Sequence, residues 1–496
     1  MGGSEATGGQ PTGGQATGGQ ATGGATAPVR WRVARPLVLA LLGLKLLVTV
    51  WNAATFDGWG YDGRHHVWRA YIGCAADPMA YDPPLYYVPV FGTVTTTLTH
   101  DFDVPRKMTV EERNLPLQRL RWLNVVWLAV FYASWLFGVI PRLFADDRVR
   151  LLASGLLLAL PGYQKMAVMP HPDNLHTAAA AACFAAWLWA RERKARRLAA
   201  GGAAGDTGEL ALLAGLAIFA GWTRPFAAVT VAVTGIMAVA HARVGRRVFG
   251  AGFLARLVAL TLVIGAGSSA WYVYRHAQTG LWGGAYNPRF IAKFAKGKQT
   301  FDWAHYFGSF EFAALVAHPN RGVGRDLPDP EARARIANSF FTTLYSEVWG
   351  DHWMHFSGKK RPYERPEKFD AKIWPKRMLF VTALPITLLL LLRLFVHLVR
   401  IVRRGPRDWA RLPPDVALAL LFVLGAGFYL FWQTGSGLTP GKNSSIKFIY
   451  SAYLAPAPLL LALHGRFGER RLWAWLFGAA LLFAVALPVA FYWPAG

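Results

Sequence analysis

Apolar and polar residues follow one another in blocks along this chain. Several stretches of roughly 18 to 24 residues are almost wholly apolar, and a helix of that length covers about 30 Å of hydrocarbon. Reading the blocks in order predicts eleven spans, at about 35–52, 120–140, 149–168, 174–190, 209–223, 225–242, 253–275, 378–400, 414–432, 446–464 and 472–493. The fifth and sixth are separated only by a tight Thr223-Arg224-Pro225 turn. Two segments between spans are too long for simple connectors, 53–119 and 276–377. Both mix aromatic residues and prolines with short amphipathic stretches, Met108–Trp122 and Glu331–Trp349 among them, which predicts short helices lying at the interface over a cavity. The expected fold is an all-α multi-pass membrane protein, with about eleven transmembrane helices and two large extracytoplasmic loops that contain interfacial helices.

Residues 1–28 repeat Gly, Gln, Ala and Thr and offer almost nothing to bury, so they are expected to be a disordered cytoplasmic tail. Residues 29–496 then form the transmembrane domain. The first apolar run lacks a small-residue cleavage site and is read as an uncleaved anchor.

Composition agrees. The 496 residues are 54% hydrophobic and only 16% charged, where a soluble domain carries about a quarter. The two cysteines, Cys74 and Cys183, make neither a disulfide framework nor a metal motif, and Cys183 reads as packing within an apolar run. A net charge of +25 would suit nucleic acid if it were clustered on one face. Instead the basic residues fall in alternate loops: Arg142, Arg148 and Arg150; Arg191 to Arg197; Arg243, Arg246 and Arg247; Arg400 to Arg411; Arg466, Arg470 and Arg471. The positive-inside rule places those loops in the cytoplasm, with the N-terminus inside and the C-terminus outside, in the plasma (inner) membrane of a cell envelope. No nucleic acid is needed as a partner; membrane lipids are.

Candidate chemistry lies on the outer side. Trp59–Tyr87 crowds acids, histidines and aromatics behind the first span. Asp57 and Asp62 are solvated loop acids or functional ones. Asp62 precedes His66 by four residues, on one face of any helix starting at Gly63, where the carboxylate can cap the helix or act as a general base. In Tyr81-Asp82-Pro83-Pro84-Leu85-Tyr86-Tyr87 the prolines fix the backbone, and the tyrosines suit an interfacial belt. His171-Pro172-Asp173-Asn174 forms a short outer loop in which Asp173 can cap the fourth span. Arg224 and Lys447 stand at outer span ends, where snorkelling to head groups competes with an anion-binding role. Lys45 lies mid-span and reads as snorkelling. Thr342–Phe356 gathers Glu347, Asp351, His352 and His355 among aromatics, as an aromatic shelf or a weak metal site.

Taken together, Gly60-Tyr61-Asp62 with His66, Pro83-Pro84-Leu85-Tyr86-Tyr87, the Asp173 loop, Thr223-Arg224-Pro225, and Lys447 with Tyr450 and Tyr453 resemble the GT-C class of integral-membrane glycosyltransferases, which includes protein O-mannosyltransferases and aminoarabinose-to-lipid-A transferases. The resemblance implies transfer of a hexosyl or pentosyl group from a polyprenyl-phosphate sugar donor to a glycan, lipid or protein acceptor on the extracytoplasmic side. Asp62 is then the first choice for general base and Asp57 the second. Arg224, Lys447, Arg289 and Lys293 are the candidates for the donor phosphate. His66, Asp82, Tyr86, Tyr87, His171, Asp173 and Tyr450 are candidates for substrate binding. No cofactor is assigned, and a divalent cation is left open, with Asp173 either orienting the acceptor or joining a metal site. Asp82 stands where the aminoarabinose branch tends to have Lys, which argues against lipid A as acceptor. The rival readings are a polymerase or ligase of lipid-linked glycans, and a transporter or flippase of a lipid-linked sugar; paired broken helices and internal repeats, the marks of a transporter, are not legible in the chain.

Overall fold

A computed structural model describes residues 34–55, 66–67, 83–90, 110–202, 206–224, 227–244, 251–279, 302–319, 331, 335–336, 338–350, 366–409, 411–435 and 451–464. Among these the chain is helices and turns, with no strand. Helix α1 is Ala34–Thr55. Helix α2 is Val110–Ala133, and it runs on through a π turn at Ser134–Val139 into Ile140–Leu143. Next come α3 (Asp147–Ala159), α4 (Pro161–Val168), α5 (Asp173–Ala199), α6 (Thr207–Gly221), α7 (Ala228–Arg243) and α8 (Ala251–Thr279). The short helices α9 (Trp303–Gly308), α10 (Phe312–Ala317) and α11 (Phe340–Trp349) precede α12 (Pro366–Arg404), α13 (Pro414–Gly435) and α14 (Pro456–Leu463).

Among the described residues four helical segments are long and apolar enough to cross a membrane: Arg35–Thr55, Asn114–Leu143, Ala251–Gln278 and Lys376–Arg404. The bent pair α3 and α4 makes a fifth if taken as one span, and α6, α7 and Pro414–Leu430 are apolar but shorter. Large apolar side chains stay exposed on three of these, Leu47 and Trp51 on α1, Leu254 and Leu262 on α8, Leu391, Leu392 and Phe395 on α12. Exposed apolar faces of that extent suit immersion in hydrocarbon. The expected count of eleven is therefore supported for four to five spans; the last predicted span, 472–493, lies outside the described residues.

Boundaries differ from the sequence reading for local reasons. The stretch 108–122 was expected as a separate interfacial helix, but α2 is continuous from Val110 through that stretch and into the second span. Over 331–349, Glu331, Arg335 and Ile336 are helical, and a separate helix, α11, begins at Phe340, where the Ser339 side chain caps it by accepting from the Thr342 amide. The third span is broken. Asp146 caps α3 by accepting from the Arg148 amide at 2.8 Å, but Pro161 lacks an N–H and disfavours a helical residue before it. Leu160 is extended, Pro161 opens α4, and the two axes differ by 45°.

At the break, Lys45 Nζ of α1 donates to the Leu160 carbonyl at 3.5 Å. Lys45 is buried there instead of snorkelling. Irregular backbone inside a membrane is tolerated where neighbouring helices meet its polar groups, and this lysine meets one of them.

Small residues set the closest helix approaches. A Cβ on Gly221 of α6 would stand 2.5 Å from Ser268 Cβ and 3.0 Å from Ser268 Cα on α8. The core between α2, α4 and α5 is aromatic, with Trp135 stacked on Phe184 and Phe131 against Tyr163. Cys183 packs against Ala179 and Ala220, as expected of it. Many of the basic residues at the other end of α5 are paired: Arg142 with Glu192 at 2.9 Å, Lys194 with Asp206 at 2.8 Å, Arg197 with Glu209 at 3.0 Å. They hold loops together besides setting an end of the molecule apart by charge.

Candidate functional site

The first turn of α5 and the turn after α6 bring His171, Asp173 and Arg224 into one buried cluster. Asp173 begins α5, where a carboxylate suits the free amides and the helix dipole. Arg224 follows a tight turn in which the Thr223 hydroxyl donates to the Ala220 carbonyl at 2.6 Å, ending α6. The Arg224 guanidinium donates from Nη1 to Asp173 Oδ2 at 2.8 Å and lies 2.9 Å from His171 Nδ1. His171 Nδ1 is itself 3.1 Å from Asp173 Oδ2. None of the three is more than 4% exposed, so this is a desolvated ion pair and not a snorkelling cation.

The cluster has a roof. His66 meets His171 edge to face with ring centroids 4.6 Å apart, and His66 Nδ1 lies 2.6 Å from the Tyr87 hydroxyl. Tyr86, in a single 3-10 turn at Pro84–Tyr86, donates to Asn124 Oδ1 at 2.7 Å. Asn124 donates in turn to the Met169 carbonyl at 2.6 Å, and Arg121 Nε to Val168 O at 3.2 Å, tying α2 to the end of α4. Val67, Tyr86, Tyr87, Val90, Leu117, Leu120 and Leu175 form one apolar cluster around these bonds. Tyr86 and Tyr87 were expected in an interfacial belt, yet both are fully buried. Burial pushes the Tyr86 phenol well above its ordinary range, which keeps it a neutral donor.

Burial also raises the Asp173 carboxyl to about 6, against the lowering pull of Arg224 and His176. At neutral pH it remains an anion beside Arg224. His176, one turn along α5, contacts Thr230 Oγ1 at 3.0 Å and lies 4.4 Å ring to ring from Tyr453.

Of the sequence candidates, His66, Tyr86, Tyr87, His171, Asp173 and Arg224 therefore converge. Asp57, Asp62, Asp82, Arg289, Lys293, Lys447 and Tyr450 lie outside the described residues, as do Asp351, His352 and His355. Glu347 is buried in α11. Arg121, Asn124 and His176 were missed. Their signal was positional: Arg121 and Asn124 share a helical stripe with Leu117, Leu120 and Leu128, and His176 lies three residues after Asp173. Among the described residues His171 and Asp173 gather no third side chain that would complete a metal-ligand set, and the Arg224 guanidinium is in contact with both.

Chemically, the arrangement can hold an anion on a guanidinium whose position a carboxylate and an imidazole fix. No protein-family model, no curated protein and no solved structure matches the chain.

Proposed function

We propose that the chain is a membrane glycosyltransferase that moves a sugar from a polyprenyl-phosphate donor to an acceptor on the extracytoplasmic side of the plasma membrane. The observation that carries the reading is the buried Arg224–Asp173 pair roofed by His66, Tyr86 and Tyr87. Breaking the bond between sugar and lipid phosphate leaves negative charge on the departing phosphate, and a preorganised guanidinium in a desolvated site stabilises it. Asp173 and His171 orient Arg224, and Lys447, Arg289 and Lys293 supply further charge to the phosphate. Asp62, or Asp57 in its place, takes the proton of the acceptor hydroxyl as that oxygen attacks the sugar's anomeric carbon. Asp82, Tyr86, Tyr87 and Tyr450 line the sugar and acceptor. The acceptor is a glycan, lipid or protein, and a polymerase or ligase of lipid-linked glycans would use the same parts.

The test is to incubate purified protein with a panel of radiolabelled polyprenyl-phosphate sugars. Consumption of one donor by wild type, and loss of turnover by about 10²-fold or more in Asp62→Asn, is expected. Equal turnover by the variant removes Asp62 as base.

One observation favours a second reading, a flippase of the same lipid-linked sugar. Helices α3 and α4 are a broken pair with Lys45 at the break, and discontinuous helices with an intramembrane charge are the pattern of transporters. Such a protein moves labelled donor between leaflets of a vesicle with its glycosidic bond intact.

A further inference from the structure

We propose that His397, Asp415 and His464 form a binding site for a first-row divalent cation, at the arginine-rich end of α12, α13 and α14. This site is separate from the Arg224 cluster. Arg191, whose Nη1 donates to the Leu412 carbonyl beside it, is 18 residues along α5 from Asp173, about 27 Å at helical rise.

Three elements converge to make it. His397 is near the C-terminal end of α12, Asp415 is in the first turn of α13, and His464 follows the last turn of α14. One ring nitrogen from each histidine and a carboxylate oxygen all lie within 4.8 Å of one another. His397 Nε2 is 3.3 Å from Asp415 Oδ2, and the two imidazole centroids are 4.8 Å apart. Around a tetrahedral ion with bonds of about 2.1 Å, ligand atoms stand about 3.4 Å apart, so small side-chain rotations close the set. Two imidazoles and one carboxylate are a ligand class for zinc, and for other first-row metals that keep a water in the remaining position.

A second observation points the same way. His397 is buried, and its Nδ1 has no hydrogen-bond partner. A buried ring nitrogen left without a partner is costly, and a bound ion removes the cost by letting either nitrogen serve as ligand. Asp415 Oδ1 accepts from the Val416 amide at 3.1 Å, which fixes the carboxylate as a supporting bond does around a metal. One group competes. Arg404 Nη1 donates to Asp415 Oδ2 at 2.7 Å, but its side chain is 35% exposed and free to swing into water when an ion takes that oxygen.

That competition supplies the experiment. The full chain, purified in detergent on a tag without histidine and stripped with a chelator, is titrated with Zn²⁺ against a chromophoric chelator. Co²⁺ serves as a spectroscopic probe. Wild type is expected to bind one Zn²⁺ per chain and, with Co²⁺, to give the visible ligand-field bands of a tetrahedral site. His464→Gln is expected to bind at least about tenfold more weakly, since even supporting residues around metals are worth that much. Arg404→Gln is expected to bind more tightly, because the competitor is gone. Zn²⁺ should raise the Tm of wild type and of Arg404→Gln, and leave that of His464→Gln unmoved. Absence of Zn²⁺ binding by wild type overturns the proposal. So does equal binding by His464→Gln, or weaker binding by Arg404→Gln, which would make the cluster a plain ion pair.

Discussion

Replacing Arg224 with Gln leaves Asp173 buried without its cation, and the consequence depends on pH. The two charges are 2.8 Å apart. At an effective dielectric of about 20 that separation corresponds to an attraction of about 6 kcal/mol. Burial opposes it: even with Arg224 in place, the carboxyl rises from 3.8 to about 6, a net disadvantage to the anion of about 3 kcal/mol. A folded-state pKa above the unfolded one means that folded protein holds the proton more tightly. The associated stability is therefore complete below about pH 4 and lost as pH rises through about 6. Without Arg224 the carboxyl rises further, the window of loss moves upward, and above it the variant carries an unpaired buried anion or a proton taken up at a cost. The penalty of Arg224→Gln should thus be small at pH 5, where Asp173 is already protonated. It should grow to about 3–5 kcal/mol near pH 8. Unfolding midpoints in detergent, followed by tryptophan fluorescence from pH 5 to 8, measure it, and Asp173→Asn in the same background should abolish the pH slope. A penalty independent of pH, or additive single and double variants within about 0.5 kcal/mol, would refute the pairing.

Asn124→Ala removes the acceptor of the Tyr86 hydroxyl, while the Met169 carbonyl keeps its bond from Asn174; with one group stranded, stability should fall by about 1–3 kcal/mol, read as a fall in Tm. Lys45→Met exchanges a buried ammonium with one 3.5 Å bond for an apolar chain of similar volume; Tm should hold or rise, and a fall of several degrees would show that the Leu160 carbonyl depends on it. Gly221→Ala drives a methyl into the Ser268 backbone and should cost about 1–3 kcal/mol, whereas Gly215→Ala on the same helix meets open space and should be neutral or stabilising. The pair of midpoints, measured side by side, separates close helix contact from helix propensity.

What was legible in the sequence was the part governed by period and charge. Long apolar runs announced α1, α2, α8 and α12. Pro161 was equally visible, but whether a proline kinks a helix or breaks it depends on the packing around the break. Lys45, which meets the Leu160 carbonyl there, is 115 residues away. The same limit explains the site. Arg224 and Asp173 each stood out as polar residues at a span end, yet a snorkelling cation and a capping acid are the same letters as a buried ion pair. Only the packing of α5 against α6 distinguishes them. Asn124 and Arg121 read as ordinary polar positions because their stripe is apolar on either side, and His397 and His464 are too far apart to make a motif.

The central claim is that Arg224 receives the phosphate of a lipid-linked sugar. Its most direct test is release of polyprenyl phosphate from labelled donor in proteoliposomes, by wild type, Arg224→Lys and Arg224→Gln, each normalised to folded protein at pH 6. Release by wild type, partial activity in Arg224→Lys and a loss of about 10²-fold or more in Arg224→Gln is the expected result. Undiminished release by Arg224→Gln, or donor that crosses the bilayer without being cleaved, would contradict it.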